Sequence, residues 1–475
     1  MHSPQRAPSA HPVASAAAAA DAAAAWPESA AAPASACADQ LRIARARTLG
    51  LFDDLPADAL LGPRLPVVNP PLWELGHLGW FQERWLLRAR PDGTLAPSLL
   101  PGADALYDSS AVAHATRWEL PLPGPDATRD YLSQVLDRAL ERLDGAVGTM
   151  PGGADGQHLS FHAVVCAQHE QMHAEAFSYS RQTLAYPAAG AHVAPASPDL
   201  AAVAADRGAT GDASIEGGLF RLGAEKGEGF VFDNEKWAHP VKVAPFALAR
   251  RTTSVAEYAA FVDEGGYAQR RWWSDEGWAW RTAAQADAPV YWRRKLGVQG
   301  WEVRCNEAWR PLVPDAPMLH VNAYEAEAWC RWAGRRLPSE AEWECAAAGG
   351  GGTPARRYPW GDTPPSRTRA NLWFPSAEGA LAPVDALADG DSLQGCRQLT
   401  GNVWEWTAST FEPYPGFTPD PYREYSEPWF GSHRVLRGGC FATAASLIRN
   451  SWRNFYTPDR RDVYAGFRSC ALEPR

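Results

Sequence analysis

The sequence predicts a protein of the α plus (α+β) class: a helical bundle followed by a loop-rich domain of short strands and short helices. Three observations carry this. Up to residue 186 apolar residues recur at helical spacing. From residue 215 strands shorten and Gly, Pro and Trp become dense. Between them, residues 187–214 are rich in Ala, Pro, Gly and Ser, the composition of a linker or long surface loop.

Taken in order, residues 1–36 contain runs such as ASAAAAADAAAA and read as a disordered tail. A secretory signal fits poorly, because alanine alone is a weak apolar core, Asp21 interrupts it and no positive charge clusters at the start. Residues 37–186 hold four helical segments, near 38–54, 69–90, 127–147 and 158–184. Asn69-Pro70 has the form of a helix start, with Asn as N-cap and Pro in the first helical position. Leu72, Leu75, Gly76, Leu78, Gly79 and Phe81 then follow at helical spacing. In the fourth segment Phe161, Val164, Val165, Gln168, His169, Met172, His173 and Phe177 do the same. Four such helices with a loop of about 35 residues in the middle give a four-helix bundle with a long crossover. Residues 215–475 form an irregular α+β domain without a fixed repeat, with short helices near 253–264, 322–333 and 339–348.

Composition excludes several function classes. The net charge is −10 and no Lys/Arg run is long enough to track phosphates, so nucleic acid is not an expected partner. No stretch of about 18 apolar residues exists, so no membrane-spanning helix is expected. Eight cysteines are scattered without a CxxC pair, which argues against a zinc ribbon, an iron–sulfur cluster or a disulfide framework and favours a reduced, cytoplasmic setting. The 22 tryptophans supply large rigid surfaces, mostly for packing, with a few able to cradle flat or cationic ligands.

The chemistry concentrates in NPPLWELGHLGWFQE (69–83) and HEQMHAE (169–175). His169 and His173, four apart, share one helix face. His77, on a separate helix, would meet them in the fold. Three imidazole ligands leave a metal with open positions, as catalysis requires. Other readings stand beside this one. HEQMH also satisfies the H-E-x-x-H pattern of zinc peptidases, with Glu170 as base. That reading wants a third ligand downstream, where only Glu175 precedes the linker. Three core histidines with satisfied hydrogen bonds are the structural alternative.

With these segments in place, the chain resembles the non-haem iron sulfoxide synthases of ergothioneine biosynthesis, the hercynine oxygenases, with which the selenoneine synthases are closely related. The resemblance covers about residues 38–475. Besides the two histidine segments it rests on GEGFVFDNE (227–235), RRLPSEAEWECAA (335–347), GNVWEWT (401–407), YPGF (414–417), YREYSEPWF (422–430), RVLRGG (434–439) and RNFYTPDRRDVYAGFR (453–468). It implies a DinB-like bundle followed by a formylglycine-generating-enzyme-like domain, related to C-type lectins. It implies iron(II) on His77, His169 and His173, O2 as co-substrate, and formation of a carbon–chalcogen bond at carbon 2 of the hercynine imidazole. Tyr422 and Tyr425 become candidates for supplying a proton or hydrogen atom. Trp404, Phe455 and Tyr456 become candidates for the trimethylammonium end, and Asn454 for the carboxylate. DinB-like bundles also occur in metal-dependent thiol transferases, and a lectin-like binding module without turnover is a further alternative.

Two departures matter. Formylglycine-generating enzymes carry a copper-binding cysteine pair after the RGGS-like strand; here those places hold Thr443 and Ile448, and Cys440 falls on the Ser. Sulfatase activation is therefore not expected. In the mycobacterial type an Asp helps bind γ-glutamylcysteine; here that place is Tyr456, while the downstream Arg maps onto Arg460. Loss of the carboxylate removes a partner for a substrate amino group. Free cysteine or a selenosugar then remain as donors, with a lean towards the selenosugar.

Overall fold

The structure, a computed structural model, describes residues 33–90, 94–145, 154–189, 209–294, 300–352, 356–375 and 380–472. The first part consists of α1 (Ala34–Gly50), α2 (Pro71–Gln82), the short α3 (Ala103–Tyr107), α4 (Pro125–Gly145) and α5 (Ala154–Leu184). A π-helical turn, Glu83–Arg88, continues α2. The helix α1 packs on α4 and α5, and α2 packs on the same two, which closes a four-helix bundle.

The starts of two helices differ from expectation. The first begins at Ala34, inside the stretch read as tail, while residues 1–32 lie outside the described residues. Ala34, Ala38 and Leu41 are all buried on one face of α1. Composition does not separate such a packed Ala-rich turn from low complexity, because alanine is both the best helix former and a small core residue. The second begins at Pro71, and Asn69 does not cap it. Instead its Nδ2 donates to Glu74 Oε1 at 2.6 Å. Of the two prolines, Pro71 takes the helical position where a missing N–H costs nothing.

Nearly all of α2 is buried. Its Gly76 allows a neighbouring ring to lie against the helix: a Cβ there would stand 2.2 Å from Tyr107 Cζ. This close approach brings the end of α3 beside His77.

The second part runs β1 (Asp212–Ile215), β2 (Gly218–Leu222), β3 (His239–Val243), β4 (Phe246–Ala249), α6 (Val255–Asp263), α7 (Asp275–Ala283), β5 (Trp292–Arg294), β6 (Trp301–Cys305), β7 (Ala308–Pro311), α8 (Ala323–Trp332), β8 (Arg335–Arg336), α9 (Glu340–Ala348), β9 (Trp404–Thr410), β10 (Arg434–Arg437), β11 (Asn454–Tyr456), β12 (Ala465–Gly466) and β13 (Cys470–Ala471). Strand β1 starts within the last residues expected as linker, of which 190–208 lie outside the described residues. The strands form sheets in the orders β1-β4-β13-β8 and β11-β10-β9-β12, a β2-β3 hairpin and a β5-β6-β7 ribbon. Capping boxes start α6, α8 and α9: Ser254 with Glu257, Asn322 with Glu325, and Ser339 with Glu342. Among the described residues, no helix is long and apolar enough to cross a membrane. All eight cysteines are free and buried.

The two parts meet along one stripe of α5. Met172, Glu175, Tyr179 and Gln182 recur at i, i+3, i+7 and i+10, so they share a face next to the one carrying His169 and His173. Glu175 accepts from Trp404 Nε1 at 2.7 Å and from Thr443 Oγ1 at 2.6 Å. Gln182 donates to the Arg304 carbonyl at 2.8 Å and accepts from the Asn306 N–H at 2.6 Å. From α1, buried Arg47 donates to Gln171 Oε1 at 2.8 Å and to the Ala442 carbonyl at 2.6 Å. Buried polar groups paired across the seam fix the bundle's register on the second part.

Candidate active site

His77 on α2 and His169 and His173 on α5 come together, with ligand-capable atoms all within 4.8 Å of one another. Ring centroids lie 5.3 Å apart for His77 and His169, 5.1 Å for His77 and His173, and 4.4 Å for His169 and His173. Neighbouring rings set their orientation. Phe81, one turn after His77, stacks on His169 at 3.6 Å and 5°, and Trp73 stacks on His77 at 5.1 Å and 9°.

His77 Nδ1 lies 2.8 Å from the Tyr107 carbonyl oxygen. A carbonyl only accepts, so the hydrogen sits on Nδ1 and the Nε2 lone pair is free for a metal. Burial, reinforced by His173, lowers the His77 pKa to about 3. Burial likewise holds His169 well below the ordinary imidazole range. Both rings are neutral at physiological pH, the form that ligates. His173 Nδ1 faces Glu74 Oε2 at 3.5 Å. Burial works to raise the Glu74 carboxyl, but His173 and Asn69 hold it below its usual value. Glu74 is therefore a carboxylate behind the His173 imidazole. The donor set of three imidazoles, with no thiolate, fits a divalent first-row ion with positions to spare.

The sequence reading missed Glu74, Tyr107 and Phe81. Glu74 and Phe81 left a signal, their i, i+3 and i, i+4 spacing to His77, whereas Tyr107 left none. Glu74→Gln is expected to weaken metal affinity by about 10- to 100-fold, because an outer carboxylate orients and strengthens its imidazole. A metal-competition titration measures this; unchanged affinity would remove Glu74 from the site.

Of the two tyrosines expected here, one reaches the cluster. The Tyr422 ring stands edge-on to His169 at 5.9 Å and to Phe81 at 4.8 Å. Tyr425 is one layer further back: its ring stacks on Phe232 at 4.2 Å. Its hydroxyl donates to Met172 Sδ at 3.7 Å and accepts from Trp452 Nε1 at 3.4 Å. Burial pushes both phenols far above their ordinary pKa.

Two expected substrate residues are placed otherwise. Trp404 is 1% exposed and offers no open ring face; its indole N–H holds Glu175 at the seam. Phe455 stacks on Phe411 at 4.1 Å. Strand alternation puts Phe455 on the opposite face of β11 from Asn454 and Tyr456. Asn454 remains half-buried, with its Oδ1 accepting from the Phe455 N–H at 2.8 Å. The Tyr456 hydroxyl lies 3.5 Å from that of Tyr179 on α5. Arg460 sits 5.1 Å over the Tyr456 ring, and Asp462 grips its guanidinium through two hydrogen bonds of 2.6 Å.

The peptidase reading fails on Glu170. Its buried carboxylate accepts from Arg45 Nε at 2.7 Å and from Nη2 at 3.2 Å. Arg45 is itself held by the Leu132 carbonyl at 2.6 Å and by Gln82 Oε1 at 2.7 Å. A carboxylate neutralised on the far side of the helix cannot serve as base at the histidines. Neither place expected to lack a copper-binding cysteine carries a free side chain: Thr443 donates to Glu175 at 2.6 Å and Ile448 is buried in the core.

Comparison with known proteins agrees with this architecture. The DinB superfamily matches residues 40–177, and the sulfatase-modifying factor enzyme 1-like domain matches residues 200–473. The hercynine oxygenase of Mycolicibacterium thermoresistibile is 39% identical over 442 residues, covering 91% of this chain and 93% of that protein. That of Mycobacterium tuberculosis is 40% identical over 441 residues, covering 91% and 97%. The formylglycine-generating enzyme of Streptomyces coelicolor is 35% identical over 310 residues, covering 60% of this chain and 94% of that enzyme. A DinB-type bundle bearing three clustered histidines, fused to a sulfatase-modifying-factor-like domain and aligned almost end to end with such relatives, makes this chain a member of the hercynine oxygenase family.

Proposed function

We propose that this protein is an iron(II)- and O2-dependent oxygenase that joins a sulfur or selenium nucleophile to carbon 2 of the hercynine imidazole. The observation that carries the reading is the His77, His169 and His173 cluster with the Tyr422 ring beside it. Zinc has no redox chemistry, so coupling at the expense of O2 needs a redox-active ion, and imidazole donors suit iron. The balance is simple: hercynine loses its C2–H hydrogen and the donor its S–H or Se–H hydrogen. One oxygen atom stays on the chalcogen and the other leaves as water.

The three histidines would hold iron(II), which when bound supplies redox activity and open positions that gather the reactants and remove the entropy cost of their encounter. Tyr422 keeps its proton because burial disfavours the phenolate, so it is a proton or hydrogen-atom donor beside His169. Phe81 and Trp85 flank Tyr422, at 4.8 and 6.2 Å, and screen that side from water. Tyr422→Phe is expected to lower kcat by roughly 10²- to 10³-fold, and Tyr425→Phe by less than about tenfold, since its hydroxyl only braces Met172 and Trp452. Single-turnover kinetics with both variants checks this; equal losses would refute the distinction.

The donor reading rests on Tyr456 and Arg460. Where a carboxylate would greet an amino group there is a phenol, and Arg460 is already committed to Asp462. Hydroxyls and ring faces suit an uncharged selenosugar better than γ-glutamylcysteine. The identity of 38–40% with hercynine oxygenases favours a sulfur donor as the second reading. The test is anaerobic reconstitution with iron(II), then O2 with hercynine plus γ-glutamylcysteine, cysteine or a selenosugar, with products read by mass spectrometry. Absence of an O2-dependent hercynine product with every donor would sink the proposal.

A further inference from the structure

A second concave site lies in the C-terminal part, between the β2-β3 hairpin, the end of α9 and the residues just before β11. It encloses about 310 Å3 and shares no residue with the histidine cluster. That volume is within the range of small-molecule pockets. Phe220 and Ala348 give it an apolar wall. Most of its charged side chains are already spent: Arg221 on Glu225, Glu344 on Arg437 and Arg449 on Glu235. Three are not: Glu228, Arg356 and Arg357, all half-buried.

These three are held side by side. Arg357 Nη1 donates to the Glu228 carbonyl at 3.1 Å. Buried Asn450 donates from its N–H to the Arg357 carbonyl at 2.8 Å and from Nδ2 to the Arg356 carbonyl at 3.0 Å. Its Oδ1 has no partner among the described residues, so this wall is one hydrogen-bond donor short. Among the described residues neither arginine forms an ion pair. Arg356 makes one long contact, from Nη1 to the Pro359 carbonyl at 3.5 Å. Arg357 Nε is taken by the Tyr358 hydroxyl at 3.1 Å, which leaves Nη2 open. The Glu228 carboxylate uses one oxygen to accept from the Glu225 N–H at 3.0 Å, and among the described residues the other accepts nothing. Burial raises the Glu228 pKa, against the pull of the Glu225 N–H and the Arg357 guanidinium. The cavity therefore offers an acceptor carboxylate and, beside it, two guanidiniums with donors to spare.

We propose that this cavity binds a free α-amino acid with an apolar side chain, at a site separate from the histidine cluster. The ammonium pairs with Glu228, the carboxylate with Arg356 and Arg357, and the side chain lies against Phe220 and Ala348. A zwitterion satisfies both signs of charge at once. A phosphate or another plain anion would have to sit against the Glu228 carboxylate, at a Coulombic cost. The site touches the bundle indirectly. Glu228 stands two residues before Phe230, whose ring packs on Phe161 of α5 at 5.4 Å. A ligand here would brace the segment that seats the bundle on the second part.

Calorimetric titration of the full-length protein tests this with L-leucine as probe. Leucinamide lacks the carboxylate and N-acetyl-L-leucine lacks the ammonium. The expected result is saturable binding of leucine at least about tenfold tighter than either analogue, the worth of one charge-assisted hydrogen bond. Glu228→Gln keeps an oxygen for the Glu225 N–H, and should weaken leucine about tenfold while leaving N-acetyl-leucine unchanged. Arg356→Gln, at a side chain with one long contact, gives an independent check and should weaken leucine while leaving leucinamide unchanged. Circular dichroism of both variants confirms the fold. Any other pattern overturns the proposal, including no saturable binding to the unaltered protein, equal affinity for all three compounds, or folded variants that bind leucine as the parent does. None of these readouts depends on metal loading or on turnover.

Discussion

His173→Ala is expected to empty the histidine cluster of its metal and to lower turnover by roughly 10³-fold or more, while the bundle stays folded. The reasoning is geometric. His77 and His169 are buried and stacked, on Trp73 and Phe81, so cutting either one leaves a cavity in the helix packing. The His173 side chain is 23% exposed and, among the described residues, its one hydrogen-bond partner is Glu74. Its loss removes a third of the donor set with little loss of packing. Metal content after reconstitution, measured beside the circular dichroism spectrum, separates lost ligation from lost fold. Retained metal with full turnover would remove His173 from the site.

The largest stability effect is expected at Arg45. Its pair with Glu170 is almost wholly buried, at 4% and 3% exposure. Arg45→Met leaves a carboxylate in the bundle with no counter-charge, takes the donor from buried Gln82 Oε1, and should cost about 3–5 kcal/mol. The double variant Arg45→Met/Glu170→Leu should recover most of this, because removing both charges removes the desolvation penalty. Urea midpoints of the single and double variants measure it. A single variant as stable as the parent would show that Glu170 is not held as described. The contrast with a peptidase is sharp, since there the same glutamate would face the metal and water.

Particular elements show what was readable in advance. The four bundle helices and α6, α8 and α9 of the second part fall close to their expected spans, while α7 was not expected, because helical periodicity and S-x-x-E or N-x-x-E capping are properties of neighbouring residues and α7 has no such box. The pairing of His169 with His173 is equally local. Helix starts were less readable: Pro70-Pro71 and the Ala-rich run before Cys37 each allow more than one start, and tertiary burial chooses. Tyr422 and Tyr425 sit three apart in one segment and look alike in sequence. Packing separates them, placing one against His169 and the other between Phe232 and Trp452. The surroundings of Trp404 and Phe455 are equally unreadable in sequence, since which side of a strand faces the seam depends on its pairing and not on its own residues.

The sequence by itself determined the bundle, the irregular α+β domain, the i, i+4 histidine pair and the absence of a copper-binding cysteine pair. Each of these is written in local spacing or residue identity. Only the tertiary structure decided that His77 meets that pair, that Glu74 and the Tyr107 carbonyl stand behind two of the imidazoles, and that Glu170 is spent on Arg45. Those contacts join residues about 30 to 125 positions apart. They arise because burying two helices and a domain face together satisfies their apolar surface and their polar groups in one arrangement, and no local pattern encodes that.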